Sequence, residues 1–175
     1  MSIIAICSDS HDNIPNINKF LNQCALKTVD LVIHCGDITT KETRQYFQDN
    51  FKGKISFVKG NADIESEDDD NQRWRRGKKT NRFLVIKRQP IPFIEGVIDG
   101  IRFAACHEKE KAKRLAEKNL YHFVFYGHSH KPWQEKINQT YLINPGTLAG
   151  MFTPPTFAIY DTKTRILDLI QLNQI

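Results

Sequence analysis

The most informative stretch of the sequence is Tyr126-Gly127-His128-Ser129-His130-Lys131-Pro132, which directly follows the apolar run Phe123-Val124-Phe125. The apolar run predicts a buried strand, and the stretch after it predicts the loop in which that strand ends. Gly127 frees the backbone there, so that His128 and His130 can both turn toward one point. Imidazole is the commonest metal ligand among side chains, and this loop is therefore a candidate metal site. From this loop alone, the alternative is a polar loop that holds two solvated histidines.

The composition is that of an ordinary soluble protein with one domain, residues 1–175. The chain is 40% hydrophobic and 26% charged, and no apolar run approaches the ~20 residues that cross a bilayer. No basic segment precedes the first apolar run, which argues against a signal peptide. Four cysteines form no CxxC pair and predict reduced, mostly buried thiols in a cytoplasmic protein: Cys7, Cys24, Cys35 and Cys106. The net charge of +5 mildly favours anionic partners but is too small to indicate nucleic acid.

The first third of the chain alternates between strand and helix patterns. Three apolar runs predict buried strands at Ile3–Cys7, Leu31–His34 and Ile55–Val58. Between the first two, Asn13 predicts the N-cap of a helix. Between the second and third, Thr39 and Glu42 predict a capping box for a helix that runs to about Asp49. Such alternation predicts a largely parallel sheet with helices on its faces.

The rest of the chain begins with a charged segment and then turns to β patterns. Residues 65–70 are acidic and residues 73–82 are mostly basic, which predicts an exposed, solvated loop; the alternative is a basic lip that attracts a phosphate substrate. Further predicted elements are strands at 83–86, 123–125, 157–160 and 166–170, hairpins around Asp99-Gly100 and Asn138-Gln139, and a helix over 109–119. The sequence therefore predicts an α/β (α+β) fold with two packed β-sheets and helices outside.

Polar residues follow five of the predicted strands, at the point where each strand ends. These candidate ligands are Asp9 and His11, Asp37, Asn61, His107, and His128 with His130. In α/β sheets, ligands bind beyond the carboxyl ends of the strands. Seven oxygen and imidazole ligands are enough for two metal ions if Asp37 bridges them.

Five short motifs occur in an order that resembles the calcineurin-like metallophosphoesterase superfamily. They are Asp9-Ser10-His11, Gly36-Asp37, Gly60-Asn61-Ala62-Asp63, His107 and Gly127-His128-Ser129-His130. The resemblance runs from Ile3 to about Gly146. The short length and Asn144-Pro145-Gly146 resemble the small single-domain bacterial and archaeal phosphodiesterases of that superfamily. The resemblance implies a four-layer sandwich in which helices flank two mixed sheets, in agreement with the strand and helix patterns.

The resemblance also implies a phosphodiesterase that uses two divalent metal ions. One ion would be held by Asp9, His11, Asp37 and His130, and the other by Asp37, Asn61, His107 and His128. A hydroxide that bridges the ions would attack the phosphorus of a small phosphodiester or nucleotide-like substrate. Asp37 and Asn61 would take part in catalysis, and Asp63 would orient a ligand or a water. Manganese is the preferred metal, and iron, cobalt, nickel and zinc also suit this mix of imidazole and carboxylate.

Two residues depart from the family pattern. Ala62 stands where many members carry a histidine that is proposed to protonate the leaving group. We predict that neither Asp12 nor Asp63 fully replaces that histidine, so activated aryl diesters should react far faster than alkyl diesters. The second departure is Glu108, which follows His107 where the family often has glycine. Without that glycine, the backbone of the loop next to His107 could have a different geometry from that of the family.

Other functions stay open at this point. A non-catalytic scaffold would resemble the retromer subunit that has this fold but degraded ligands, whereas all seven candidate ligands are intact here. Protein and dinucleoside-polyphosphate phosphatases usually show Gly-Asp-x-x-Asp-Arg-Gly and Gly-Asn-His-Glu, and the residues after Gly36-Asp37 and Gly60-Asn61 differ from both. A nuclease would rest on the basic segment alone. The sequence leaves the oligomeric state open.

Overall fold

Eleven strands and three α-helices make up the part of the chain that the structure describes. The computed structural model describes residues 1–64 and 92–175, together with the backbone of residues 83–86. In chain order the elements are β1 (Ile3–Cys7), α1 (Ile14–Leu26), β2 (Leu31–His34), α2 (Lys41–Asn50), β3 (Lys54–Phe57), β4 (Phe83–Ile86), β5 (Phe93–Ile98), β6 (Ile101–Cys106), α3 (Lys109–Glu117), β7 (Phe123–Phe125), β8 (Trp133–Ile137), β9 (Thr140–Asn144), β10 (Thr156–Asp161) and β11 (Ile166–Gln171), followed by a short 3-10 helix (Leu172–Gln174). Within these ranges, no helix is long and apolar enough to cross a membrane. The predicted charged loop, residues 65–82, lies outside the described residues.

The strands form two mixed sheets. The first has the order β11-β10-β1-β2-β3, and the second has the order β4-β5-β6-β7-β9-β8. β1, β2 and β3 are parallel, as the strand–helix alternation predicts, whereas β10 and β11 join the first sheet in antiparallel pairs. In the second sheet β6, β7 and β9 are parallel, and hairpins add β5 and β8 beside them. Both predicted hairpin turns are confirmed, with positive φ at Asp99, Gly100 and Asn138.

Side chains that alternate along the strands build three cores, one on the outer face of each sheet and one between the two sheets. In β1, Ala5 and Cys7 pack toward α1 and α2, while Ile4 and Ile6 pack between the two sheets. An uninterrupted apolar run therefore serves both faces of a sheet, because successive side chains point to opposite sides. On the second sheet, the outer face packs against Leu115 and its neighbours in α3. The result is the predicted four-layer order of helices, sheet, sheet and helix.

α2 begins one residue later than its sequence pattern predicted. Its N-cap is Thr40, whose Oγ1 accepts the N–H of Thr43, so the capping box assigned to Thr39 and Glu42 was wrong. Thr39 instead adopts a φ of 92° and donates its N–H to Asp63. That contact comes from a distant part of the chain, and a local capping pattern cannot show it.

The four cysteines are buried and free, as predicted. Burial raises the pKa of the Cys106 thiol to about 12, and it raises the pKa of Cys7 and Cys35 well above the ordinary value. All of these thiols therefore stay protonated at neutral pH and fill core space as small apolar groups.

Candidate metal centre

Loops from both sheets meet at one edge of the molecule. β1, β2 and β3 run parallel, and so do β6 and β7, so the carboxyl ends within each set lie together. The two sets touch where Nδ1 of His107 lies 2.9 Å from the carbonyl oxygen of Cys35. Contacts between these loops bring all seven candidate ligands together at this edge.

The first cluster consists of Asp9, His11 and His130. Nε2 of His130 lies 3.3 Å from Nε2 of His11 and 3.3 Å from Oδ1 of Asp9. Asp9 is fully buried, whereas the two rings are partly exposed. Each of the three side chains has one ligand atom within 4.8 Å of the other two, so together they could hold a metal ion.

The second cluster consists of Asn61, His107 and His128. Oδ1 of Asn61 lies 3.0 Å from Nε2 of His107 and 2.8 Å from Nδ1 of His128. The same two ring nitrogens are 3.3 Å apart. His128 and His130, two residues apart in one loop, therefore contact two neighbouring clusters instead of a single point.

Asp37 lies between the two clusters. Its Oδ2 is 3.4 Å from Nε2 of His107 and 3.8 Å from Nε2 of His11. Its Oδ1 accepts the N–H of Ala62 at 2.8 Å. Asp9, Asp37 and His107 form a third set of ligand atoms within 4.8 Å of one another. The Asp37 carboxylate therefore has the position that a ligand shared by two ions requires.

The charges in the site stabilise one another. Burial alone would raise the pKa of Asp37, but hydrogen bonds with His107 and with the N–H of Ala62 hold it below its ordinary value. Burial would lower the pKa of His107, and the hydrogen bond with Asp37 outweighs burial and raises that pKa. A hydrogen bond with Asp9 raises the pKa of His130 in the same way, against the effect of burial. The negative charge that favours a protonated imidazole would equally attract a metal cation.

The ring of His107 is oriented by its second nitrogen. A carbonyl oxygen can only accept a hydrogen bond, so Nδ1, next to the carbonyl of Cys35, carries a proton, and Nε2 is the nitrogen that faces Asp37 and Asn61 and could bind a metal. Glu108, which replaces the family's usual glycine, has φ −87° and ψ 138°. Any residue can adopt that extended conformation, so the replacement of glycine by Glu108 does not move His107 away from Asp37.

Asp63 joins the loops after β2 and β3. Its Oδ1 accepts the N–H groups of Ile38 and Thr39, at 2.7 and 2.8 Å. Its Oδ2 accepts the N–H groups of Gly60 and Asp37, at 2.7 and 3.2 Å. A Cβ on Gly60 would collide with the carboxylate and the backbone nitrogen of Asp37, so only glycine fits this close approach. Asp63 thus acts on Asp37 through the backbone.

Five of the candidate ligands have a left-handed backbone conformation. They are Asp9, His11, Asp37, His128 and His130, with φ between 40° and 68°. Such conformations cost about 1–3 kcal/mol at a residue other than glycine, and they persist where the surrounding structure enforces them. Because five such residues lie in these loops, the backbone there is less stable than it could be, and in return the five candidate ligands point toward the two clusters.

The donor atoms fit divalent transition metals. Two imidazole nitrogens that lie about 2.0–2.1 Å from one tetrahedral ion are about 3.3 Å apart. The pair His11 and His130 has that separation, and so does the pair His107 and His128. The mixture of imidazole, carboxylate and amide oxygen suits manganese, iron, cobalt, nickel and zinc.

Supporting residues around the ligands escaped the sequence analysis. Asn144 donates from Nδ2 to the carbonyl of Gly127 at 2.8 Å and to Oγ of Ser129 at 3.0 Å, which fixes the loop of the two histidines. Thr147 donates from Oγ1 to the carbonyl oxygen of Asp9 at 2.7 Å. Their only signal in the sequence is the motif Asn144-Pro145-Gly146, which marks the family resemblance without indicating a role.

This fold and this site together define a metallophosphoesterase: two mixed sheets flanked by helices, with histidines and carboxylates gathered at the ends of parallel strands. A profile of the calcineurin-like phosphoesterase superfamily domain matches residues 1–165. The chain belongs to this phosphoesterase superfamily, and its candidate ligands fit the divalent metals that phosphoesterases of the family use.

Individual relatives cover almost the whole chain. It is 32% identical over 167 residues to Phosphodiesterase MJ0936 of Methanocaldococcus jannaschii, a match that covers 93% of this chain and 94% of that protein. It is similar to a solved archaeal phosphodiesterase, with a TM-score of 0.77, 29% identity, and coverage of 97% of this chain and 99% of that one. Vps29 of Chaetomium thermophilum matches with a TM-score of 0.69 at 14% identity, over 97% of this chain and 95% of that one, which shows a shared fold only.

Proposed function

We propose that this protein is a phosphodiesterase that binds two divalent cations and hydrolyses a small phosphodiester or a nucleotide-like substrate. The observation that carries the proposal is the position of Asp37, whose Oδ2 lies 3.4 Å from His107 and 3.8 Å from His11, in two adjacent clusters of ligands. The similarity to Phosphodiesterase MJ0936 supports a diester as the substrate class. Manganese is the first choice among the metals that these donors suit.

Each ligand has a defined part in this proposal. One cation would be held by Asp9, His11, Asp37 and His130, and the other would be held by Asp37, Asn61, His107 and His128. Such a pair of cations lowers the pKa of a bound water and neutralises charge on the phosphoryl oxygens. Asp37 supplies a stable negative charge, because His107 and the N–H of Ala62 favour its ionised form. Asn61 supplies an oxygen without charge, which keeps the site less negative for an anionic substrate, and Asp63 positions Asp37.

We further propose that residues 1–175 form one domain and that the protein is cytoplasmic. The family match over residues 1–165 supports one domain, and so do β10 and β11, which complete the first sheet. Four buried, unpaired thiols support a reducing compartment. The partner in this proposal is the small-molecule substrate.

The direct test is hydrolysis of bis-p-nitrophenyl phosphate by the manganese-loaded protein. Asp37→Asn is the variant, and Asp168→Asn is the matched control, since Asp168 is an exposed carboxylate on β11. We expect similar turnover in the unaltered protein and the control, and a loss of at least about 100-fold in Asp37→Asn. Removal of the shared negative charge would weaken both cation sites at once.

Two results would contradict the proposal. If the folded protein shows no turnover with manganese, iron, cobalt, nickel or zinc, a non-catalytic scaffold is favoured, a function that the fold shared with Vps29 leaves open. If Asp37→Asn retains full turnover, the two clusters do not act through a shared carboxylate. Circular dichroism of each variant separates loss of function from loss of structure.

A further inference from the structure

Phe152 is an unusually exposed aromatic residue next to the metal centre. Its exposed fraction is 96%, the highest among the large hydrophobic side chains of the described residues. Its ring centroid lies 6.4 Å from that of His130, and the two rings are inclined by 45°. A single exposed apolar side chain is common on protein surfaces, so its exposure alone carries no function. Its contact with a candidate metal ligand sets it apart.

The segment that carries Phe152 is fastened on both sides to the site. Before it, the N–H of Ala149 donates to the carbonyl of Asp9 at 3.0 Å, and Asn13 donates to the carbonyl of Ala149 at 2.9 Å. After it, Oγ1 of Thr153 donates to the carbonyl of His130 at 2.6 Å. The loop thus holds Phe152 at a fixed position relative to two ligands of the first cluster.

The backbone of Phe152 has an unusual conformation. Its φ is 65°, a region that bulky residues rarely enter. Such conformations persist where the neighbouring structure imposes them, and here the neighbours are the anchored residues on each side. The ring lies exposed beside His130, although burial would be the favourable state of so large an apolar group.

We infer that Phe152 is a specificity-determining residue that stacks on a planar aromatic group of the substrate while the phosphate occupies the metal centre. The aromatic group is a nucleobase or a simple aryl ring, joined to the phosphate through a sugar or directly. Flat apolar faces of this kind bind bases by stacking, without hydrogen bonds that would select one base. This inference rests on the proposed function, because it assumes that phosphate binds between the two ligand clusters.

The test compares the binding of three phosphate monoesters to the manganese-loaded protein by isothermal titration calorimetry. Adenosine monophosphate carries a nucleobase, phenyl phosphate carries an aryl ring, and ribose 5-phosphate carries neither. We expect at least one of the two aromatic compounds to bind about tenfold more tightly than ribose 5-phosphate. The tighter of the two identifies the nucleobase or the aryl ring as the preferred group.

Two substitutions separate stacking from general apolar contact. Phe152→Leu keeps an apolar side chain without a ring, and we expect it to abolish the tenfold preference. Leu169→Ala, at an exposed residue of the edge strand β11, which β10 separates from β1, should retain the preference. In Phe152→Trp, the added indole should lose fluorescence when adenosine monophosphate binds and keep it with ribose 5-phosphate, a signal that does not depend on turnover.

The outcomes distinguish this inference from the proposed function. If the three compounds bind equally and Phe152→Leu changes nothing, the stacking role is overturned while the phosphodiesterase stands. If none of them binds and bis-p-nitrophenyl phosphate is not hydrolysed, the proposed function fails and the inference fails with it. A preference that survives in Phe152→Leu would assign recognition to another residue and would also overturn the inference.

Discussion

Ala62 limits the proton chemistry that the metal centre can perform. Its backbone N–H binds Oδ1 of Asp37, whereas its methyl side chain has no proton to give. The nearby carboxylates are already engaged, since Asp12 accepts the N–H and O–H of Thr40 and Asp63 accepts backbone N–H groups of two loops. In the proposed reaction, departure of the leaving group would therefore depend on how stable that group is as an anion.

We predict that restoring a histidine at position 62 extends the substrate range. Ala62→His should raise the turnover of an alkyl diester such as ethyl methyl phosphate by about 100-fold, because a positioned general acid typically contributes 10²–10⁴-fold. It should change the turnover of bis-p-nitrophenyl phosphate by less than about tenfold, since p-nitrophenolate leaves without protonation. Steady-state kinetics with both diesters measures the two effects. Ala62→Asn is the control, because its amide has comparable polarity but cannot act as an acid.

Turnover of the two diesters by the unaltered protein tests whether a general acid is missing. Equal turnover of aryl and alkyl diesters would mean that another group already protonates the leaving group. In that case Asp12 and Asp63 would be the candidates for this general acid, and Ala62→His would not raise the turnover of the alkyl diester.

The convergence of the candidate ligands could be predicted from the sequence, and the family resemblance implied an orienting role for Asp63, whereas the contacts of Asn144 and Thr147 could not be predicted. Each candidate ligand directly follows an apolar run, and the ends of parallel strands converge at one edge. The division into two clusters came from the family resemblance, because spacing alone does not tell whether His128 approaches Asn61 or Asp9. The contacts of Asp63 and Asn144 depend on how distant loops pack, and no local pattern encodes them.

At the scale of single elements, long-range contacts decide where α2 begins. Thr39 and Thr40 are equally good caps by residue type. Asp63 draws the N–H of Thr39 into the loop network, and Asp12 binds both the N–H and the O–H of Thr40. The start of the helix is therefore set by two carboxylates that belong to the loops of the metal centre. Strand and helix types could be predicted from periodicity, but a boundary of this kind depends on tertiary contacts.

We predict that the two neighbouring threonines differ in their contribution to stability. Thr40→Ala removes the N-cap and the partner of Asp12, and we expect the free energy of unfolding to fall by about 1–2 kcal/mol. Thr39→Ala removes a hydroxyl that has no hydrogen-bond partner among the described residues, and we expect a change below about 0.5 kcal/mol. Urea denaturation of the two variants measures both values. A larger loss in Thr39→Ala would contradict the assignment of Thr40 as the cap.

At the scale of the whole molecule, strand order was the feature least accessible to prediction. β1 pairs in parallel with β2, and on its other side it pairs with β10, so that Ile4 lies opposite Tyr160. β7 lies between β6 and β9. Any two apolar strands satisfy the same periodicity, so the pattern predicts two sheets but not which strands adjoin. The candidate ligands come from loops of both sheets, and the candidate metal centre is therefore a product of the complete fold.

This arrangement predicts that metal binding stabilises the whole fold. A cation that binds only the folded state adds about 2.7 kcal/mol at a concentration 100 times its Kd. For a chain of this size we expect Tm to rise by about 5–10 °C with manganese and to return with a chelator. Asp37→Asn should lose more than half of this shift, because Asp37 reaches both clusters, whereas Asp168→Asn should keep all of it. Differential scanning calorimetry measures the shifts. An equal rise in Asp37→Asn would mean that the cation binds elsewhere, and no rise in the unaltered protein would mean that the gathered side chains do not form a metal site.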